Sequence, residues 1–141
     1  MTTPESSRAG TARSVRQTIE AYFAALRAGA GWEDRFADDV VFTSHGTPAK
    51  RVSGRAAFLE STRGFYGMIE DVEVVALLVD RDAACARARY RLRPPGHEAF
   101  TSDVAEFFSV RGGRIVSLAI YFDSAPYPAG PGPAPGRPLT A

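Results

Sequence analysis

Cysteine and lysine are almost missing from this chain: Cys85 and Lys50 are the only ones among 141 residues. A single cysteine excludes an internal disulfide and any cage of cysteines around a metal. A dominant charge is missing too, since 17 basic and 16 acidic residues leave a formal net charge of +1. Proteins that live on nucleic acid or on an anionic membrane surface carry an excess of one sign, so neither partner is expected. No apolar run approaches the ~18 residues of a membrane span. Residues 1–16 lack the apolar core of a secretory signal. The expectation is a cytoplasmic protein. No glycine-rich phosphate loop, nucleophile elbow or dinucleotide fingerprint occurs. The excess of arginine over lysine reads as coding bias and not as a binding signature.

What is present is a globular composition, 45% apolar and 11% aromatic, in a length that suits one domain. Residues 1–13 are small and polar and read as a disordered lead. Residues 128–141 are rich in proline and glycine and read as a flexible tail. The folded domain is expected over 14–127. Ser14 with Gln17 suggests a capping box, followed by Val15, Ile19, Tyr22, Phe23 and Leu26 at helical spacing. Gly29 and Gly31 stop that helix. A short helical turn around Trp32 and Phe36 leads past Asp38 and Asp39 to a strand beginning at Val40. Ser53 is expected to cap a third helix carrying Phe58, Thr62, Phe65 and Tyr66. Strands follow over 72–79, 84–93, 100–110 and 115–122, the last two joined by the turn Arg111-Gly112-Gly113-Arg114. Helices first and a meander afterwards give an α+β fold, a curved sheet wrapping helices on one face.

Strand alternation assigns the faces. In the strand from Phe100, the more apolar set is Phe100, Ser102, Val104, Glu106, Phe108 and Val110, which places Glu106 on the buried side. An ionised, unpaired carboxyl there is costly, so its pKa should rise. Raised carboxyl pKa values mark functional sites, although structural networks produce them too. The alternatives are that Glu106 pairs with a neighbouring arginine or that the faces are reversed. Arg87, Arg89, Arg91 and Arg93 share one face of their strand and read as a solvated or subunit-facing surface. His45, at a strand end, and His97, in a Pro-Pro-Gly-His loop, are candidate proton carriers. Neither has a third ligand at metal-binding spacing, so no metal is expected.

Several phrases carry a family likeness: Glu20-Ala-Tyr-Phe-Ala-Ala-Leu-Arg-Ala-Gly29, Arg35-Phe-Ala-Asp-Asp-Val-Val-Phe42, Val52-Ser-Gly-Arg-Ala-Ala-Phe58, Ala105-Glu-Phe-Phe-Ser-Val-Arg-Gly-Gly-Arg-Ile115 and Ile120-Tyr-Phe-Asp123. With their order, they resemble the nuclear-transport-factor-2-like superfamily, in its SnoaL-like and ketosteroid-isomerase-like branch, over about Val15 to Tyr127. The resemblance implies a cone-shaped α+β barrel, three N-terminal helices packed in a strongly curved antiparallel or mixed sheet around a deep apolar pocket. It also implies a homodimer. In ketosteroid isomerases a tyrosine and a protonated acid polarise a carbonyl while a second acid moves the proton. Tyr22 falls at the tyrosine position and Glu106 at that of the protonated acid. The second acid is replaced by Ser44, with His45 next. SnoaL-type cyclases and scytalone dehydratase use a His–acid pair, for which His45 or His97 with Glu106 or Asp103 are the candidates. Limonene epoxide hydrolase, another relative, has an acid where this chain has Ile120.

The function implied is a cofactor-independent cyclase, isomerase or dehydratase acting by general acid–base catalysis on an apolar oxygenated small molecule of polyketide or terpenoid type. Trp32, Ser44, Phe65, Tyr66, Val104, Phe108, Ile120 and Phe122 would surround the substrate, with Tyr22 and Glu106 as hydrogen-bond donors. The alternatives are a non-catalytic binding or dimerisation module, since this fold hosts many functions, and an epoxide-opening cyclase or hydrolase.

Overall fold

The computed structural model describes residues 4–46 and 48–128. Helix α1 spans Pro4–Ala28 and buries Val15, Ile19, Tyr22, Phe23 and Leu26, the stripe that a 3.6-residue period puts on one face. Its first described residues fall where a polar lead was expected; only residues 1–3 of that lead lie outside the described residues. Pro4 fits the first helical position, where no N–H is needed. Residues such as Ala12 and Arg13 propagate a helix once the apolar stripe has nucleated it. Ser14 is therefore interior and not a cap; the Thr18 hydroxyl donates to its carbonyl at 3.0 Å. The helix ends in a Schellman motif: Ala30 N–H reaches the Ala25 carbonyl at 3.2 Å and Gly29 N–H reaches Leu26 at 3.1 Å. Gly29 sits at φ 79° to allow it.

Two α-helices, not three, are present among the described residues. The segment Trp32–Arg35 is a single 3-10 turn, too short to bury a face of its own. Helix α2 covers Arg55–Met68 and buries Phe58 and Thr62. Its N-cap is Gly54 at φ 94°, with no side-chain cap, because Ser53 is the last residue of the preceding strand.

Among the described residues six strands follow the order β2-β1-β6-β5-β4-β3: β1 Phe36–Ser44, β2 Lys50–Ser53, β3 Ile69–Asp80, β4 Ala83–Leu92, β5 Phe100–Arg111 and β6 Arg114–Phe122. Among these described strands only β1 and β6 run parallel; the other neighbours are antiparallel. Register shifts in β1, twice in β3 and between β5 and β6 increase the local twist and bend, and the sheet curls around the helices. Strand β2 had no sequence signal, because Lys-Arg-Val-Ser carries too little apolar alternation.

Both helices pack on the inner face, α1 across β3 and β4 and α2 across β1 and β2. The inner side of β4 is Ala84, Ala86, Ala88, Tyr90 and Leu92; its three methyl side chains let α1 approach. The outer side carries the arginines. Arg89 pairs with Asp103 at 3.1 Å, and Arg91 and Arg93 pair with Glu70 at 3.1 and 2.6 Å. No helix among the described residues is long and apolar enough to cross a membrane. The expected tail falls outside the described residues from 129 onward.

Candidate functional site

Between α2 and the inner faces of β1, β6 and β5 lies a cavity of about 210 Å³. Helix α2 contributes Ser61, Thr62, Phe65, Tyr66 and Met68; β1 and β2 contribute Phe42, Ser44 and Lys50. From β5 come Val104 and Glu106, from β6 Leu118, Ile120 and Phe122, and Tyr127 adds its ring after the last strand. Period-2 alternation explains why these particular strand residues point inward.

Glu106 is the only carboxylate among the described lining residues, and it is 3% exposed. Its Oε2 accepts a hydrogen bond from the Tyr90 hydroxyl at 2.7 Å. Burial pushes the carboxyl pKa up to about 8, while the Tyr90 bond acts in the opposite sense. Glu106 is therefore mostly a neutral acid at pH 7. With Oε2 already accepting, the acid's own proton is left to Oε1, which has no protein partner among the described hydrogen bonds. The side chain thus lies on the face that alternation assigns it, its pKa is raised by burial, and no arginine among the described residues pairs with it.

The expected partner is different. Tyr22 is fully buried behind the lining, against Phe23, Phe36 and Phe108. Its hydroxyl bonds that of Tyr66 at 2.7 Å, and no described hydrogen bond joins it to Glu106. Tyr66 of α2, to which Tyr22 is bonded, is the phenol that lines the cavity. Desolvation raises the pKa of Tyr22, Tyr66 and Tyr90 alike, so all three remain protonated donors. Tyr127 bonds the Ser102 hydroxyl at 2.9 Å and packs on Phe122.

The remaining candidates divide in two. Ser44, Phe65, Tyr66, Val104, Ile120 and Phe122 line the cavity. Trp32 and Phe108 do not: Trp32 stacks on the outside of Tyr66 with ring centroids 3.7 Å apart, and Phe108 fills the core beside Tyr22 and Phe23. His45 is exposed and stacks on Tyr121 at 4.2 Å; strict alternation after Ser44 turns it outward. His97 sits in a separate open groove with Arg93 and Glu98. Asp103 lies on the outer face in its ion pair with Arg89. Among the described residues, therefore, no His–acid pair forms inside the cavity. Among the described residues no group of three His, Cys, Asp or Glu side chains is placed to hold a metal ion.

Sequence reading missed Tyr90 and Lys50. Tyr90 was legible, since it shares the inner parity of Ala86 and Ala88 and would be the one polar group there. Lys50 was hidden with its unrecognised strand.

A curled sheet closed by two helices over a mostly apolar hollow, with one neutral carboxyl inside, defines a class of small pocket-bearing α+β domains. Residues 19–118 match the family model described as a SnoaL-like domain, and the chain belongs to that family, within the nuclear-transport-factor-2-like superfamily. Solved structures agree in fold. A protein from Kribbella flavida is 25% identical, with TM-score 0.66 over 79% of this chain and 88% of that one. A provisionally assigned ketosteroid isomerase from the same organism is 22% identical, with TM-score 0.65 over 89% and 86%. A provisionally assigned SnoaL-like polyketide cyclase from Jannaschia is 14% identical, with TM-score 0.69 over 86% and 90%. No curated protein matches the chain.

Proposed function

We propose that the cavity carries cofactor-independent general acid–base catalysis on a small, apolar, oxygenated molecule: an isomerisation, cyclisation or dehydration. The observation that carries this reading is Glu106, a buried acid with a pKa near 8, lining an otherwise mainly apolar hollow beside the Tyr66 phenol. A neutral acid in such a place donates a hydrogen bond to a carbonyl or hydroxyl oxygen as negative charge develops on it; ketosteroid isomerase works on this principle. With its pKa about one unit above neutral, roughly a tenth of Glu106 is ionised at pH 7. In that ionised form Glu106 acts as the base, and the Tyr66 phenol is the group left to donate to the oxygen. The carboxylate takes a proton from carbon, and the acid so formed returns it to another carbon in an isomerisation, or to a departing hydroxyl that leaves as water.

Cavity size narrows the substrate. A dry cavity of about 150 Å³ accepts benzene, so about 210 Å³ suits one ring with substituents or two small fused rings. Terpenoid-sized and short polyketide-derived molecules fit that volume. A second reading, a binding module without turnover, is favoured by His45, His97 and Asp103 lying outside the hollow.

The test is incubation in deuterated water with a panel of monocyclic and bicyclic enones and β-hydroxy ketones, comparing the wild-type protein with Glu106→Gln. Product or carbon-bound deuterium from wild type and none from the variant is expected. Equal product from both removes Glu106 from the chemistry, and binding without product by wild type decides for the binding module.

A further inference from the structure

Lys50 opens β2, the edge strand, on the opposite side of the cavity from Glu106. Four residues form one row across the sheet: Lys50 faces Ser44, Ser44 faces Ile120, and Ile120 faces Glu106. Residues directly opposed on neighbouring strands share a face, and all four line the hollow. The two ends are three strand spacings apart, roughly 14 Å between backbones. The Lys50 ammonium donates to the Ser61 carbonyl at 3.0 Å and lies 5.9 Å from the centre of the Phe42 ring. No carboxylate pairs with it among the described residues, whose ion pairs are all formed by arginines. Partial burial lowers its pKa, the sign of a charge held among neutral partners. An ammonium offers three donors, and Ser61 engages one.

We infer that Lys50 is the recognition point for a carboxylate on the ligand, so that the molecule this cavity takes is a small cyclic keto or hydroxy acid. This rests on the reading of the hollow as a ligand site with Glu106 at its acid end. The carboxylate supplies the counter-charge that the described residues do not. The hydrocarbon body lies along Ile120 and Phe65, and the carbonyl or hydroxyl oxygen meets Glu106 at the far end of the row. A flexible lysine stem lets the ammonium follow the carboxylate while its methylenes stay against apolar wall.

Two matched probes test it, 4-acetylbenzoate and 4-acetylbenzamide, with dissociation constants measured by titration calorimetry at neutral pH. Wild-type protein should bind the carboxylate about tenfold or more tighter than the amide, in line with hydrogen bonds to charged groups. Lys50→Met should erase that preference by weakening the benzoate alone, and Lys50→Arg should keep most of it. If Lys50→Met does not fold, Lys50→Gln takes its place. Equal affinities in wild type, or a preference that survives the loss of the ammonium, overturn the role of Lys50 and leave the cavity as a ligand site. Failure of wild type to bind either probe at millimolar concentration overturns the ligand-site reading, and this inference with it.

Discussion

Tyr90 and Glu106 are joined by a 2.7 Å hydrogen bond that runs diagonally across two strands. The residue directly opposite Glu106 is Ala86, and Tyr90 is opposite Ser102. Ala86 and Ala88 offer no side chain beyond a methyl, so the phenol can lean four residues along the sheet to reach the carboxyl. The bond satisfies one oxygen of the acid and fixes which oxygen is left for the cavity.

Glu106 should make stability fall as pH rises. Its pKa is about 8 in the folded chain and about 4.3 when unfolded. Below the lower value both states hold the proton. Between the two the unfolded chain releases it and the folded chain keeps it, so the folded state loses ground until pH passes 8. Urea melts at about pH 5, 7 and 9 should show a loss of up to a few kcal/mol in wild type that Glu106→Gln lacks. Identical pH profiles for the two proteins would mean that Glu106 is ionised when folded.

Removing the Tyr90 hydroxyl should drive the acid further from its ordinary range. The bond favours the carboxylate, so Tyr90→Phe should raise the Glu106 pKa above about 8 and cost about 1 kcal/mol of stability. Carbon-13 shifts of the Glu106 carboxyl followed through a pH titration give the direction. A downward move would contradict donation from the phenol to the carboxyl.

Tyr22 and Tyr66 share one hydrogen bond but only Tyr66 faces the hollow. Tyr22→Phe and Tyr66→Phe should each cost about 1 kcal/mol in thermal or denaturant melts. Affinity for a cavity ligand should fall clearly only in Tyr66→Phe. Equal losses of affinity would mean that Tyr22 reaches the ligand itself.

Gly46 lies against a wall of the site. A Cβ there would come within 2.5 Å of the tip of the Phe122 ring, closer than van der Waals contact allows, and Phe122 lines the cavity. Gly46→Ala should swing that ring and change ligand affinity several-fold while moving the melting temperature little, since the clash is with a side-chain end. A large drop in melting temperature with unchanged affinity would show the backbone yielding instead.

The inner face of β5 could be read from alternation alone, and with it the burial of Glu106, because a strand's two-residue period leaves no choice once Val104, Phe108 and Val110 must be covered. The α1 stripe from Val15 to Leu26 was legible for the same reason at helical period. Its beginning was not, since a helix extends beyond its apolar stripe wherever no residue stops it. The pairing of Glu106 with Tyr90 instead of Tyr22 depends on how both helices and β4 pack around β5, which no local pattern encodes. Lys50 enters the site only through the pairing of β2 with β1, a long-range event that four mostly polar residues do not announce.

Trp32 is the single tryptophan of the chain. It lies outside the hollow, yet its indole rests nearly flat on the ring of Tyr66, at 15°, and Tyr66 is part of the wall. Whatever enters changes the surroundings of the ring on which the indole rests. The unlabelled protein thus carries a fluorophore one residue removed from its guest, and the intensity and colour of its emission become a direct gauge of occupancy.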